Sequence, residues 1–217
     1  MIRIAIVDDH DLVREGIRAI LEQDPMFQVV GETGDGQEAV RLANRLRPDV
    51  MLMDVHLPGG IGGLEATESI VADCPEVRVI ILTQYENREY IRRAIRIGAR
   101  GYLLKRSVAA QLKEAIKTVY GGQRYLHPLA AEELVDLVTA GKSLEEDDYD
   151  RLTPREKQVF KLLAEGKTSR DISKYLTISL KTAMTHRANI MAKLNMHSRS
   201  ELIRYAIRKA IIPVEGP

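Results

Sequence analysis

The chain has 217 residues, 45% hydrophobic and 29% charged, with a net charge of +1, a size that suits two small domains better than one. Its single cysteine, Cys74, excludes an internal disulfide and fits a reducing compartment. No apolar run approaches the roughly 18–20 residues of a membrane span, and the opening MIRIAIVDDH lacks the layout of a signal peptide, so a cytoplasmic protein is expected.

In chain order, strands are predicted at Ile2–Val7, Phe27–Gly31, Val50–Met53, Arg78–Leu82 and Arg100–Leu104. Helices alternate with them near Asp11–Gln23, Gly36–Leu46, Leu64–Ala72, Asn87–Ile97 and Ala109–Tyr120. Five βα units of this kind make a doubly wound, five-stranded parallel sheet of flavodoxin-like type, which binds ligands beyond the carboxyl ends of its strands. Gly121-Gly122 ends this domain, taken as 1–121. Residues 122–150 are read as a linker. They hold a helical piece with Pro128 in its first turn, Leu134, Leu137 and Val138 inside it and Gly141 as its stop. The acidic run Leu144–Asp150 (LEEDDYD) follows and is expected to be a solvated tether.

Four helix starts fill residues 151–217. Thr153-Pro154-Arg155-Glu156 orders an N-cap, a first-turn proline and a capping-box glutamate. Thr168-Ser169-Arg170-Asp171, Ser179-Leu180-Lys181-Thr182 and Ser198-Arg199-Ser200-Glu201 open the other three, and Pro213 ends the last. The second and third helices are separated by only a few residues, which is a helix-turn-helix arrangement. Net charge is −2 over residues 1–120, −6 over 121–150 and +9 over 151–217. So basic a segment calls for a polyanionic partner, in the first place nucleic acid.

Asp8, Asp9, Asp54, Thr83 and Lys105 each stand where an apolar strand ends, so the sheet collects them at one rim. Carboxylates that close repel unless a hard cation joins them, and Mg²⁺ takes a few such oxygens plus water. Asp54 follows the most apolar strand and precedes the open loop His56-Leu57-Pro58-Gly59-Gly60, which marks it as the nucleophile. Asp8 and Asp9 supply metal-binding charge, and the main-chain carbonyl of His56 completes the set. Lys105 pairs with a phosphoryl oxygen as a point charge and Thr83 donates to another. A reversible acyl phosphate suits a switch better than a turnover enzyme.

At these residues the chain resembles a known family. Asp8-Asp9, Asp54, Thr83 and Gly101-Tyr102-Leu103-Leu104-Lys105 resemble the receiver domain of two-component response regulators. Leu152-Thr153-Pro154-Arg155-Glu156 and Lys181-Thr182 through His186 resemble the output domain of the NarL/FixJ (LuxR-type) subfamily. The resemblance implies phosphorylation of Asp54 by a sensor histidine kinase, with Mg²⁺ on Asp9, Asp54 and the His56 carbonyl and Asp8 acting through water. It also implies that Tyr102 rotates inward as Thr83 moves toward the phosphoryl group; an aromatic simply packed at the sheet edge is the other reading of Tyr102. Three departures stand out: a loop Pro58–Gly63 one residue longer than usual, the bulky Gln84 after Thr83, and Arg106 where many receivers carry proline.

In Ser179–Leu194 the apolar Ala183, Ile190 and Leu194 should face the core, with His186 at their edge in a structural hydrogen bond. The opposite stripe is Lys181, Met184, Thr185, Ala188 and Ala192. Its small side chains admit a helix closely to the major groove, and Thr and Ala methyls suit thymine. Thr182 belongs to the same end of the helix, and Lys181, Arg187 and Lys193 are expected at phosphates. So are the amides at Thr168 and Ser169. Met184 replaces a residue that is often basic in the family, which shifts discrimination toward Thr185 and DNA shape. Leu202, Ile203, Ala206, Ile207 and Ala210 exceed what one short helix buries around itself, so part of that set should pair with a second copy on an inverted-repeat site. RNA polymerase is a further expected partner; a membrane is not.

Two other classes fit the residues less well. An aspartyl-phosphate phosphatase of the haloacid dehalogenase type carries DxD after its first strand, where this chain has Asp8-Asp9-His10. A receiver with a protein-docking output domain is disfavoured by the +9 charge and the small-residue stripe. The five histidines lack zinc-ligand spacing, Cys74 has no histidine partner in sequence, and there is no Walker-type glycine loop.

Overall fold

The computed structural model describes residues 1–84, 88–128, 130–132, 135, 148–209 and 211–212. The chain divides into two compact units, Met1–Pro58 with Gly62–Leu144, and Glu145–Pro217 with Gly59–Ile61.

The first unit alternates β1 (Ile2–Val7), α1 (Asp11–Glu22), β2 (Phe27–Thr33), α2 (Gly36–Leu46), β3 (Val50–Asp54), α3 (Gly63–Asp73), β4 (Arg78–Thr83), α4 (Arg88–Arg96), β5 (Gly101–Leu104), α5 (Val108–Tyr120) and β6 (Tyr125–Leu126). The sheet order is β2-β1-β3-β4-β5-β6 and every pairing is parallel. Central strands covered on both faces must be apolar at consecutive positions, and β3, Val-Met-Leu-Met-Asp, is buried throughout. Ile17 and Leu21 of α1 join Leu112, Ile116 and Val119 of α5 over Ile4, Ile6, Leu52, Ile80 and Leu82, forming one core.

Register decides what meets at the carboxyl edge. Val7 lies beside Met53, Met53 beside Ile81 and Ile81 beside Tyr102. Asp8 and Asp54 therefore occupy one tier, with Thr83 and Lys105 just above it.

The sheet has a sixth strand where five were expected. After α5 the chain turns at Gly121 and Gly122, the latter at φ 87°, and β6 lies along the outer edge of β5, inside the segment read as linker. Two residues carry no periodicity that a sequence reading can use. Residues 128, 130–132 and 135 are helical, as expected around Pro128; Leu134, Leu137, Val138 and Gly141 lie outside the described residues.

The second unit holds a 3₁₀ turn (Asp148–Arg151) and helices α6 (Pro154–Ala164), α7 (Ser169–Tyr175), α8 (Leu180–Lys193) and α9 (Arg199–Arg208). All four expected caps form: Thr153 and Thr168 make complete capping boxes with Glu156 and Asp171, Ser179 accepts from the Thr182 amide, and Ser198 from that of Glu201. Each such cap contributes about 1 kcal/mol.

The core centres on Phe160, in edge-to-face contact with Tyr149 at 5.2 Å and Tyr205 at 6.0 Å between ring centroids. Tyr149 corrects the reading of the acidic run as a plain tether. It is 2% exposed, so the end of that run is anchored, while residues 144–147 lie outside the described set. The apolar set of the last helix is divided. Leu202 and Ala206 are buried inside the unit and Ile203 and Ile207 are half-buried; Ala210 and Pro213 are outside the described residues. Among the described residues no helix is long and apolar enough to cross a membrane.

Candidate functional site

At the carboxyl edge Asp8 is fully buried and Asp54 is 3% exposed. Two carboxylates at that depth require a counterion, and Lys105 supplies it. Its ammonium lies 2.7 Å from Asp8 Oδ2 and 2.9 Å from Asp54 Oδ2. Burial pushes the Asp54 carboxyl up to about 6. Lys105 opposes that rise, the neighbouring Asp8 adds to it, and the His56 amide donates to the carboxylate and opposes it. Asp54 is thus mostly ionised at neutral pH and largely withdrawn from solvent, as suits a nucleophile. Burial draws the Lys105 pKa down, but Asp54 and Asp8 outweigh it and the ammonium is held above its ordinary value.

Backbone contacts fix the strand ends. Arg14 donates to the Asp8 main-chain carbonyl at 2.5 Å and also pairs with Asp11. Gly63, at the start of α3, sits so close under β3 that a β-carbon there would fall 1.7 Å from the Asp54 carbonyl oxygen. Only glycine allows that approach. The loop that sequence reading found unusually long therefore ends on a glycine required by packing.

Asp8, Asp9, His10 and Asp54 each offer a ligand atom, all within 4.8 Å of one another. Asp9 is the exposed carboxylate of the set, and His10 is exposed beside it. His10 was missed by a search for zinc spacing: its Nδ1 lies 2.7 Å from Asp9 and 3.3 Å from Asp8, so it partners the carboxylates. A donor set of three carboxylates suits a hard divalent cation such as Mg²⁺ better than zinc.

Thr83 is fully buried, and its hydroxyl is hydrogen-bonded to that of Tyr102, whose pKa is raised by burial. Tyr102 is not an edge aromatic, because β6 lies outside it. His56 packs edge-to-face on Tyr90 at 5.2 Å. Arg106 enters a 3₁₀ turn, Lys105–Ser107.

In the second unit Ala183, Ile190 and Leu194 are buried as expected, and His186 is half-buried at their edge. Lys181, Thr182, Met184, Thr185, Arg187, Ala188 and Ala192 are exposed along the rest of α8. The Thr182 and Thr185 hydroxyls bond locally, to Ser179 and to the Lys181 carbonyl. Two sites differ from expectation. Lys193 reaches back 2.7 Å to Glu156, so its charge neutralises a buried carboxylate. Asp171 takes both the amide (2.9 Å) and the hydroxyl (2.5 Å) of Thr168, so that amide is not open to phosphate; Ser169 is half-buried. Capping geometry satisfies the amide before any ligand arrives.

Comparison with known proteins adds the family. Residues 4–117 match the response regulator receiver domain and residues 150–206 the bacterial regulatory proteins of the luxR family. Oxygen regulatory protein NreC of Staphylococcus carnosus is 37% identical over 97% of this chain and 99% of its own. A LuxR-family two-component response regulator from Aurantimonas sp. SI85-9A1 is 38% identical over 64% of this chain and 99% of that one, with a TM-score of 0.60. RcsB from Salmonella enterica serovar Typhimurium, bound to promoter rprA with the phosphomimetic BeF3−, is 26% identical over 94% of this chain and 97% of that one, at TM-score 0.58. With its receiver sheet, its enclosed aspartates and its helix-turn-helix unit, the chain belongs to the two-component response regulators with a LuxR-type DNA-binding domain, transcription regulators rather than enzymes.

Proposed function

We propose that Asp54 accepts a phosphoryl group from a sensor histidine kinase and that this switches the binding of double-stranded promoter DNA. The carrying observation is the Lys105 ammonium set between Asp54 and Asp8 at 2.9 and 2.7 Å. It pre-places a positive charge where phosphoryl oxygens arrive. A carboxylate oxygen of Asp54 attacks phosphorus as the bond to the kinase histidine breaks. Lys105 then pairs with one phosphoryl oxygen and Thr83 donates to another. Asp9, Asp54 and the main-chain carbonyl of His56 would hold Mg²⁺, with Asp8 acting through water; the cation, when bound, neutralises charge on the transferring group.

On the output side, Lys181, Thr182, Met184, Thr185 and Ala188 face the major groove and Arg187 a phosphate, with Ser169 nearby. Lys193 and the Thr168 amide leave this set because Glu156 and Asp171 occupy them. The +9 charge of residues 151–217 and the DNA-bound relative support the reading. Ile203 and Ile207, half-buried on α9, are the residues proposed to pair two copies on an inverted repeat. Residues 1–121 act as receiver, 122–150 as connection and 151–217 as output, in the cytoplasm, with RNA polymerase as a further partner.

Intact-mass measurement after treatment with a small phosphodonor and Mg²⁺ tests the centre of this reading. One phosphoryl group is expected on the wild-type chain and none on Asp54→Asn. Undiminished labelling of Asp54→Asn moves the site elsewhere.

A further inference from the structure

The short strand β6 is not accounted for by phosphoryl chemistry or by DNA contact, yet its hydrogen bonds are specific. Tyr125 donates its amide to the Arg100 carbonyl at 3.0 Å, and His127 donates to the carbonyl of Tyr102 at 3.1 Å. Leu126 lies in register with Tyr102. On the far side of the same residue, the Tyr102 hydroxyl is bonded to Thr83, which stands one position beyond the residue paired with Asp54. The His127 carbonyl in turn accepts from the amides of Ala130 (2.7 Å) and Ala131 (3.1 Å), closing the turn that opens the helical residues after Pro128. Tyr102 thus joins two sets of hydrogen bonds, its hydroxyl to Thr83 and its main-chain carbonyl to His127 at the start of the connecting segment.

We propose that Tyr125–His127 is the receiver's output strap, through which the position of Tyr102 is passed to the segment leading toward the DNA-binding unit. The proposal rests on the phosphorylation switch proposed above and adds the route by which it leaves the sheet. A phosphoryl oxygen is a charged acceptor and competes for the Thr83 hydroxyl proton more strongly than a phenol does. When Thr83 turns toward it, Tyr102 loses a buried partner and must repack. A two-residue strand has little binding of its own, so it follows the β5 backbone. The Gly121-Gly122 turn before it adds freedom where the strap has to shift.

Two measurements on the full chain test this. Amide hydrogen exchange is followed at Tyr125 and His127 with and without phosphodonor and Mg²⁺. Altered exchange at both amides is expected on phosphorylation. A response at Thr83 and Tyr102 with none at Tyr125 and His127 overturns the strap and leaves the phosphoryl site intact. The second test compares His127→Pro, which removes the donated N–H, with His127→Ala, which keeps it and removes only the imidazole. Both should label at the wild-type level. The phosphorylation-dependent gain in DNA affinity should survive in His127→Ala and disappear in His127→Pro. A fully switching His127→Pro, or a His127→Ala that loses the gain equally, refutes the backbone route. If His127→Pro does not fold, the exchange data decide alone. A wild-type chain that fails to label or to retain DNA sinks the functional reading, and the strap with it.

Discussion

The two halves of this molecule use charge in opposite ways. The receiver encloses it: Asp8 and Asp54 are within 3% of complete burial and share one ammonium. The output unit displays it, with Lys181 and Arg187 exposed on α8 and, among the described residues, a single buried carboxylate, Glu156, neutralised by Lys193. Bond-making at phosphorus needs a few groups desolvated and fixed, because electrostatic stabilisation grows as water is excluded. Holding a polyanion needs many solvated cations that release counterions on contact. On the proposed function, one chain separates a local, covalent event from a diffuse, reversible one.

The largest way to break this comparison is to remove the enclosed cation. Lys105→Ala leaves two buried carboxylates without their shared cation, a loss on the order of 3–5 kcal/mol in receiver stability, part of which added Mg²⁺ should restore. Thermal unfolding with and without Mg²⁺ is the measurement; a variant as stable as wild type in chelator would mean the charges are not enclosed. Next comes the anchor of the output unit. Tyr149→Ala should cost about 3 kcal/mol, at the lower end for a buried aromatic, with labelling of Asp54 unchanged. Denaturant unfolding reports the first and intact mass the second. Equal damage to both readouts would dissolve the distinction between the halves.

A smaller effect is expected at the displayed charge. Arg187→Gln should weaken binding to all DNA sequences alike and reduce the slope of log affinity against log salt by about 1. A loss confined to one sequence would make Arg187 a base reader. The smallest effect is on pH. Burial raises the Glu156 pKa, but Lys193 and the Thr153 cap outweigh it and hold it below the ordinary value. A depressed carboxylate stabilises the fold above its unfolded pKa, about 4.3 for glutamate, and that contribution fades as pH falls through the lower folded value. The output unit should lose stability below about pH 4.3, and Glu156→Gln should flatten that limb.

Much of this was legible in residue order because short-range rules govern it. Apolar runs ending in Asp8, Asp54 and Thr83 announce parallel strands with a shared edge, since connection geometry puts those ends together whatever the details of packing. The four capping signatures in residues 151–217 each became a helix start, because a cap is satisfied within four residues. Less legible were residues whose role depends on a distant partner. Tyr149 reads as part of an acidic tether although it packs on Phe160, and nothing in residue order says which members of the last helix's apolar set, Leu202 and Ala206, the core encloses. His10 was set aside for lack of metal spacing, though it directly follows Asp9, the carboxylate it partners.

By itself, then, the sequence determined the succession of elements, the five residues at the carboxyl rim of the sheet and the opposite charge of the two ends. All of these follow from local periodicity and from the fixed rule that parallel strands present their ends together. Tertiary structure alone decided that Lys105 bridges Asp8 and Asp54, that Lys193 turns inward to Glu156, that β6 closes the sheet over Tyr102, and that Gly63 must carry no side chain. These are contacts between residues far apart in the chain or in separate elements, and distance along a sequence carries no information about which cation reaches which carboxylate. That choice is made by packing, where a buried charge must find its partner and the backbone leaves room for only one.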